Sequence, residues 1–196
     1  MSKILVTPPA VPLITLNEAK LHEKIDEDED DILIQNQIEA ATRMAEEFTR
    51  RAFITQSWEY RTSRISPIIE IPRPRLQEIE NDGVLVFTDW NDNDTIIEAD
   101  RYFLDTVAEP GRLIFKPGLL PTLPIGTAWG FFGYPAGYLT FTFKAGYGDA
   151  PADVPWQIKE AVLQIFGFLY ENREGQPMAY GSMCHELLFP FQVEYI

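Results

Sequence analysis

Four features of the sequence carry residue types that could do chemistry. The turn Gly146-Tyr147-Gly148-Asp149 joins an apparent strand to a helix, where glycines can cradle a phosphate. A Walker loop needs a Lys-Ser/Thr pair after its glycines and a dinucleotide fingerprint needs three glycines opening the helix. Here Asp149 and Pro151 follow instead, and a carboxylate repels phosphate, so the turn reads as a structural joint. The acids Asp26, Glu27, Asp28, Glu29, Asp30 and Asp31 could gather a divalent cation. An EF-hand counted from Asp26 needs glycine and glutamate where Asp31 and Gln37 stand, so that pattern fails. Their simpler use is at a helix N-terminus, which favours negative charge. Cys184 beside His185 pairs a nucleophile with a base in sequence only, without the oriented geometry that catalysis requires. Finally, Trp129, Phe131, Phe132 and Tyr134 lie in a Gly- and Pro-rich stretch, a composition suited to contact with another chain or stacking on a sugar. No residue set requires an enzyme, a cofactor or a metal.

The elements around these residues follow from periodicity. Thr15 and Glu18 have the capping-box spacing and open a short helix. Ile34, Ile38, Ala41, Ala45 and Phe48 recur at helical spacing behind the acid run, with Arg50 and Arg51 at the far end. From 54 to 148 the pattern becomes β: "TQSWEYRTSRI" alternates, Asn81-Asp82-Gly83 signals a hairpin, and Glu109-Pro110-Gly111 a turn. Leu139, Phe141 and Phe143 alternate with Thr140, Thr142 and Lys144, as in a sheet buried on one side. A last helix opens near Pro155, with Asp153 as a cap, carries Ile158, Val162, Ile165, Phe168 and Leu169, and stops around Gly175.

The fold class expected is therefore α+β. Two N-terminal helices (1–53) and a long C-terminal helix (149–175) form one core, an antiparallel β region (54–148) is inserted, and 176–196 is an extended apolar arm. That arm carries Leu187, Leu188, Phe189, Phe191, Val193, Tyr195 and Ile196, where chain ends are commonly polar. It either docks in a partner's groove or packs back on its own domain.

The 196 residues carry 30 acids against 16 Lys and Arg, a formal charge of −14. Such a chain repels nucleic acid, because affinity for phosphate backbones comes largely from cationic side chains. No apolar run spans a bilayer, the start does not read as a signal peptide, and one cysteine excludes an internal disulfide.

The order of these motifs resembles the head–tail connector, or adaptor, proteins of long-tailed phages and prophages. The resemblance is carried by "VPLITLNEAKLH", by "DEDDILIQNQIEAATRMAEEFTRRAFITQSWEY", by "IEIPRPRLQEI" and by "FKAGYGDAPADVPWQIKEAVLQIFGFLYENRE", spanning roughly residues 8 to 174. It implies a non-enzymatic ring, usually twelvefold, beneath the portal vertex, joining the portal protein to a stopper or tail-completion protein. The protein would be made in the host bacterial cytoplasm and reside in the virion, with genome DNA passing through unbound and no membrane involved. On this resemblance the C-terminal arm would dock on the portal, and the acids 26–31 could face the channel. The alternatives are a soluble binding module using the aromatic loop and, further off, a metal-assisted hydrolase using the acid run.

Overall fold

The computed structural model describes residues 2–89, 91–118, 137–172 and 183–193. The chain divides into two compact units. One comprises residues 1–8 and 56–146, the other 9–55 and 147–196.

The first unit is built on β-strands. β1 (Ser2–Thr7), β2 (Gln56–Thr62), β4 (Leu76–Ile79), β5 (Leu85–Asp89), β6 (Asp94–Ile97) and β9 (Gly137–Ala145) form a six-stranded sheet in the order β1-β2-β9-β5-β6, with β4 also on β9. β3 (Ile68–Ile71), β7 (Tyr102–Asp105) and β8 (Gly111–Phe115) form a second sheet, in the order β3-β8-β7. Alternation decides what is buried: Leu139, Phe141, Phe143 and Ala145 of β9 face the core beside Trp58 and Tyr60 of β2. The Arg73 guanidinium is itself buried and lies over the Trp58 ring, 4.8 Å from its centroid. Cation and ring face attract each other through the ring quadrupole.

The expected hairpin at Asn81-Asp82-Gly83 is not one. β4 and β5 do not pair with each other but follow one another along the same edge of β9. Between the pairs Ile79–Phe143 and Val86–Thr140, residues 80–85 stand against only Phe141 and Thr142. Asn81, Asp82 and Gly83 take up the surplus with φ of 55°, 57° and 77°. Asn, Asp and Gly tolerate the left-handed region, so the same residues that favour a hairpin also suit this outward step. Tyr102 donates its hydroxyl to the Gly83 carbonyl at 2.6 Å, and a Cβ on Gly83 would meet that hydroxyl at 2.8 Å.

β1 is a second departure. Residues 2–7 precede the prolines of the expected helical part, yet they pair antiparallel with β2 and belong to the β unit. Their apolar triplet Ile4-Leu5-Val6 is β-branched at two of three positions, which suits a strand.

The second unit is helical. α1 (Leu16–Glu23) opens with the expected box: the Thr15 hydroxyl accepts from the Glu18 N–H, and the Glu18 carboxylate accepts from the Thr15 N–H at 2.7 Å. α2 (Asp31–Thr49) and α3 (Trp156–Glu171) share one core, in which Ile34, Ala41, Ile158, Val162 and Phe166 are fully buried. Phe166 takes an inward place that periodicity gave to Phe168, which is half-buried. Asp153 closes a short 3-10 turn, accepting the Ala150 N–H at 3.1 Å, rather than capping α3 directly.

Thr15→Ala removes a capping oxygen and lowers stability by about 1 kcal/mol, read as a shift of the denaturant midpoint. The Thr15 N–H, chiefly, holds the Glu18 carboxyl below its usual range, against a smaller opposing effect of burial. A depressed folded pKa stabilises above the unfolded value, near 4.3, and that contribution is lost as pH falls through the folded pKa. Denaturant midpoints of the wild type should therefore fall more steeply below about pH 4.3 than those of Glu18→Gln.

Candidate assembly surface

The turn at Gly146 spends its backbone donors within the chain. The N–H of Gly146 donates to the Arg75 carbonyl at 3.1 Å within the β unit. The N–H of Tyr147 donates to Phe53 at 2.9 Å within the helical unit, where Thr55 also donates to Gly148 at 2.9 Å. Two N–H groups that an anion would need are therefore already engaged. A Cβ on Gly148 would collide with the Asp153 carboxylate, which explains the glycine without a ligand.

The acid run lies mostly ahead of its helix rather than inside it, because α2 begins at Asp31. Asp26, Glu27, Asp28 and Glu29 are exposed, whereas Asp30 and Asp31 are half-buried. Lys20 bridges the run, its ammonium 2.5 Å from Asp28 and 2.7 Å from Asp31. This hydrogen bond draws the Asp28 carboxyl below its usual range and raises Lys20. Tyr170 donates its hydroxyl to Asp30 at 3.2 Å, tying the run to α3. Among the described residues no cluster of His, Cys, Asp or Glu has the arrangement of a metal site.

The C-terminal segment differs most from the sequence expectation. Its described part, 183–193, is not an extended arm: Met183–Leu188 is a helix, α4, followed by a 3-10 turn at Phe189–Phe191. Cys184 and Leu188 are buried in the helical core, Leu187 and Phe191 pack partly against it, and Val193 is buried too. The physical reason is the end of α2, whose last carbonyls lack partners within the helix. Val193 donates its N–H to the Thr49 carbonyl at 3.1 Å, and Arg51 donates to the Phe191 carbonyl at 2.6 Å. Arg50 takes the left-handed cap position with φ of 58°, which turns the chain out of the helix. Glu46, buried at this end, accepts the Phe53 N–H at 2.9 Å and pairs with Arg43 at 3.1 Å. His185 lies against Phe48, with ring centroids 4.9 Å apart and planes tilted by 47°.

One large aromatic of this segment stays outside. Phe189 is 69% exposed, although Leu188 before it is 1% exposed. Tyr195 and Ile196 lie outside the described residues, as do Trp129, Phe131, Phe132 and Tyr134. Elsewhere in the helical unit, Ile32 of α2 and Trp156 of α3 are exposed apolar groups with no role in the core. Periodicity assigns a helix face, but docking of the tail on α2 depends on carbonyls that a sequence does not display.

Residues 13–82, from the approach to α1 to the turn after β4, match the family of phage gp6-like head-tail connector proteins. The resemblance to head–tail connectors holds. Among solved structures, a chain from the neck of an empty gene transfer agent (GTA) particle, computed with C6 symmetry, superposes with a TM-score of 0.78 at 19% identity, covering 100% of this chain and 97% of that one. A chain from the virion of the native particle gives 0.76 at 17% identity, covering 100% and 97%. One from the native neck computed with C12 symmetry gives 0.71 at 18%, covering 98% and 97%. At these identities the likeness is one of fold, and it spans both units of the connector-like chain. No curated protein matches the chain. No described helix is long and apolar enough to cross a membrane.

The buried and exposed halves of the tail should separate in stability measurements. Leu188→Ala leaves a cavity in the helical core and costs about 2–5 kcal/mol by chemical denaturation. Phe189→Ala, at an exposed position, changes stability by no more than about 0.5 kcal/mol.

Proposed function

We propose that this chain is a structural head–tail connector: a subunit of a ring in the neck of a phage-like particle, joining the portal above to a stopper or tail-completion protein below, without catalysis. The observation that carries the reading is the match of residues 13–82 to gp6-like connectors. The likeness of fold to neck chains over the whole length supports it. The chemistry agrees. The glycine turn is a joint, Lys20 and Tyr170 hold Asp28, Asp30 and Asp31 of the acid run, and the one cysteine is buried in the core.

Within this reading the portal meets the C-terminal segment through its exposed side, with Phe189 as the anchor. Aromatic side chains that enter a partner's pocket carry a large share of interface energy. The exposed acids Asp26 to Glu29 face the DNA path and let a polyanion pass without adhering, since like charges repel. With net charge −14, little of the surface is suited to holding phosphate.

Light scattering behind size-exclusion chromatography, with and without purified cognate portal rings, tests the reading. Closed rings, formed alone or on the portal, are expected; a chain that stays monomeric and ignores its portal contradicts it. Phe189→Asp should weaken portal binding by about 2 kcal/mol or more, roughly thirtyfold. An unchanged affinity would remove Phe189 from the contact. Replacing Asp26 to Asp31 with Asn and Gln should slow genome ejection, and an unchanged rate would take the run out of the channel.

A further inference from the structure

The six-stranded sheet ends in β1 on one side and β6 on the other, and among the described residues neither has a strand on its outer edge. An open edge presents unpaired N–H and C=O groups, a template for another strand. Proteins commonly blunt such edges with charge, proline or a bulge; β1 has one lysine and an irregularity only at Val6, and ahead of it Ile4 is 58% exposed. β6 exposes Ile96 at 61%.

The register relates the two edges. Ile4 pairs with Glu59, which pairs with Thr142; two residues along β9, Thr140 pairs with Val86, which pairs with Ile96. Directly paired residues share a face, so Ile4 and Ile96 lie on the same face of the sheet. Every junction from β1 through β2, β9 and β5 to β6 is antiparallel, so β1 and β6 run in the same direction. The edges also differ in charge. Residues 2–7 carry Lys3 and no acid, whereas 91–100 expose Asp92, Asp94, Glu98 and Asp100 and no base.

We propose that the β1 edge of one copy pairs in parallel with the β6 edge of the next, so that the sheet continues from subunit to subunit. The occupant of each edge is a second copy of this chain. Ile4 meets Ile96 on one face, and the cationic edge meets the acidic one. This contact is head-to-tail: each copy uses two different surfaces, and the series grows until rotation closes it. The proposal rests on the ring reading above and supplies one of its subunit junctions.

The test is a double variant, Ile4→Cys with Ile96→Cys, assembled alone or on cognate portal rings, mildly oxidised and run on a denaturing gel without reductant. Cys184 is 4% exposed and stays out of the reaction. A ladder from dimer upward is expected from the double variant, and monomer from each single variant. Rings in light scattering and micrographs without a ladder, or dimers from a single variant, overturn this junction and leave the connector reading standing. Wild-type chain that forms no ring even on the portal overturns both. If the double variant folds but does not assemble, the apolar contact decides: Ile4→Asp should weaken assembly of the otherwise wild-type chain while leaving it folded. Ile4→Asp without effect overturns the junction.

Discussion

Strand β9 is the element on which the β unit depends. It pairs with β2 along one edge and with β4 and β5 along the other, so β1 and β6 join the sheet only through its neighbours. Its inward residues Leu139, Phe143 and Ala145 have no exposed surface, and Phe141 stacks edge-on against Tyr60 with centroids 5.6 Å apart. β9 comes late in the unit, so its partners must wait for a distant segment before they can pair. Such non-local pairing costs loop-closure entropy before any contact compensates it. Two-sided pairing and a fully apolar inner face are what make the arrangement stable against that cost.

The helical unit meets the same constraint differently. Its core draws α1 and α2 from one end of the chain and α3 and α4 from the other, with Ala19, Ala41, Ala45 and Ala161 fully buried where helices approach closely. Polar ends are then satisfied from a distance. The C-terminal segment supplies the N–H that the Thr49 carbonyl lacks, and Tyr170 reaches the acids before α2. Lys20 holds two of those acids, which limits the repulsion among six consecutive carboxylates. The tail is thus both part of the core and, through Phe189, part of the surface. A segment already folded docks on any partner at less cost in entropy than a free arm would.

Much of this was legible in the residues. Helical spacing identified the buried stripe of α2, the S/T-x-x-E pattern the cap of α1, and strict alternation the inner face of β9. Three features were not. Asn81-Asp82-Gly83 favours a hairpin and an outward step by the same left-handed torsions, and only the choice of partner, β9 for both strands, separates them. β1 is six residues whose role depends on β2, far along the chain. The tail's apolar residues announce burial without naming the surface. Leu188 faces its own core while Phe189 does not, a distinction set by carbonyls at the end of α2. The family resemblance, carried by the order of short motifs, pointed to the connector family that residues 13–82 match.

The connector account is tested most directly in the particle. Electron microscopy of particles made by cells with and without a functional copy of this chain asks whether heads and tails join. The account predicts filled or leaking heads beside separate tails when the chain is missing, and joined particles when it is restored. Normal numbers of complete, tailed particles without the chain would contradict it.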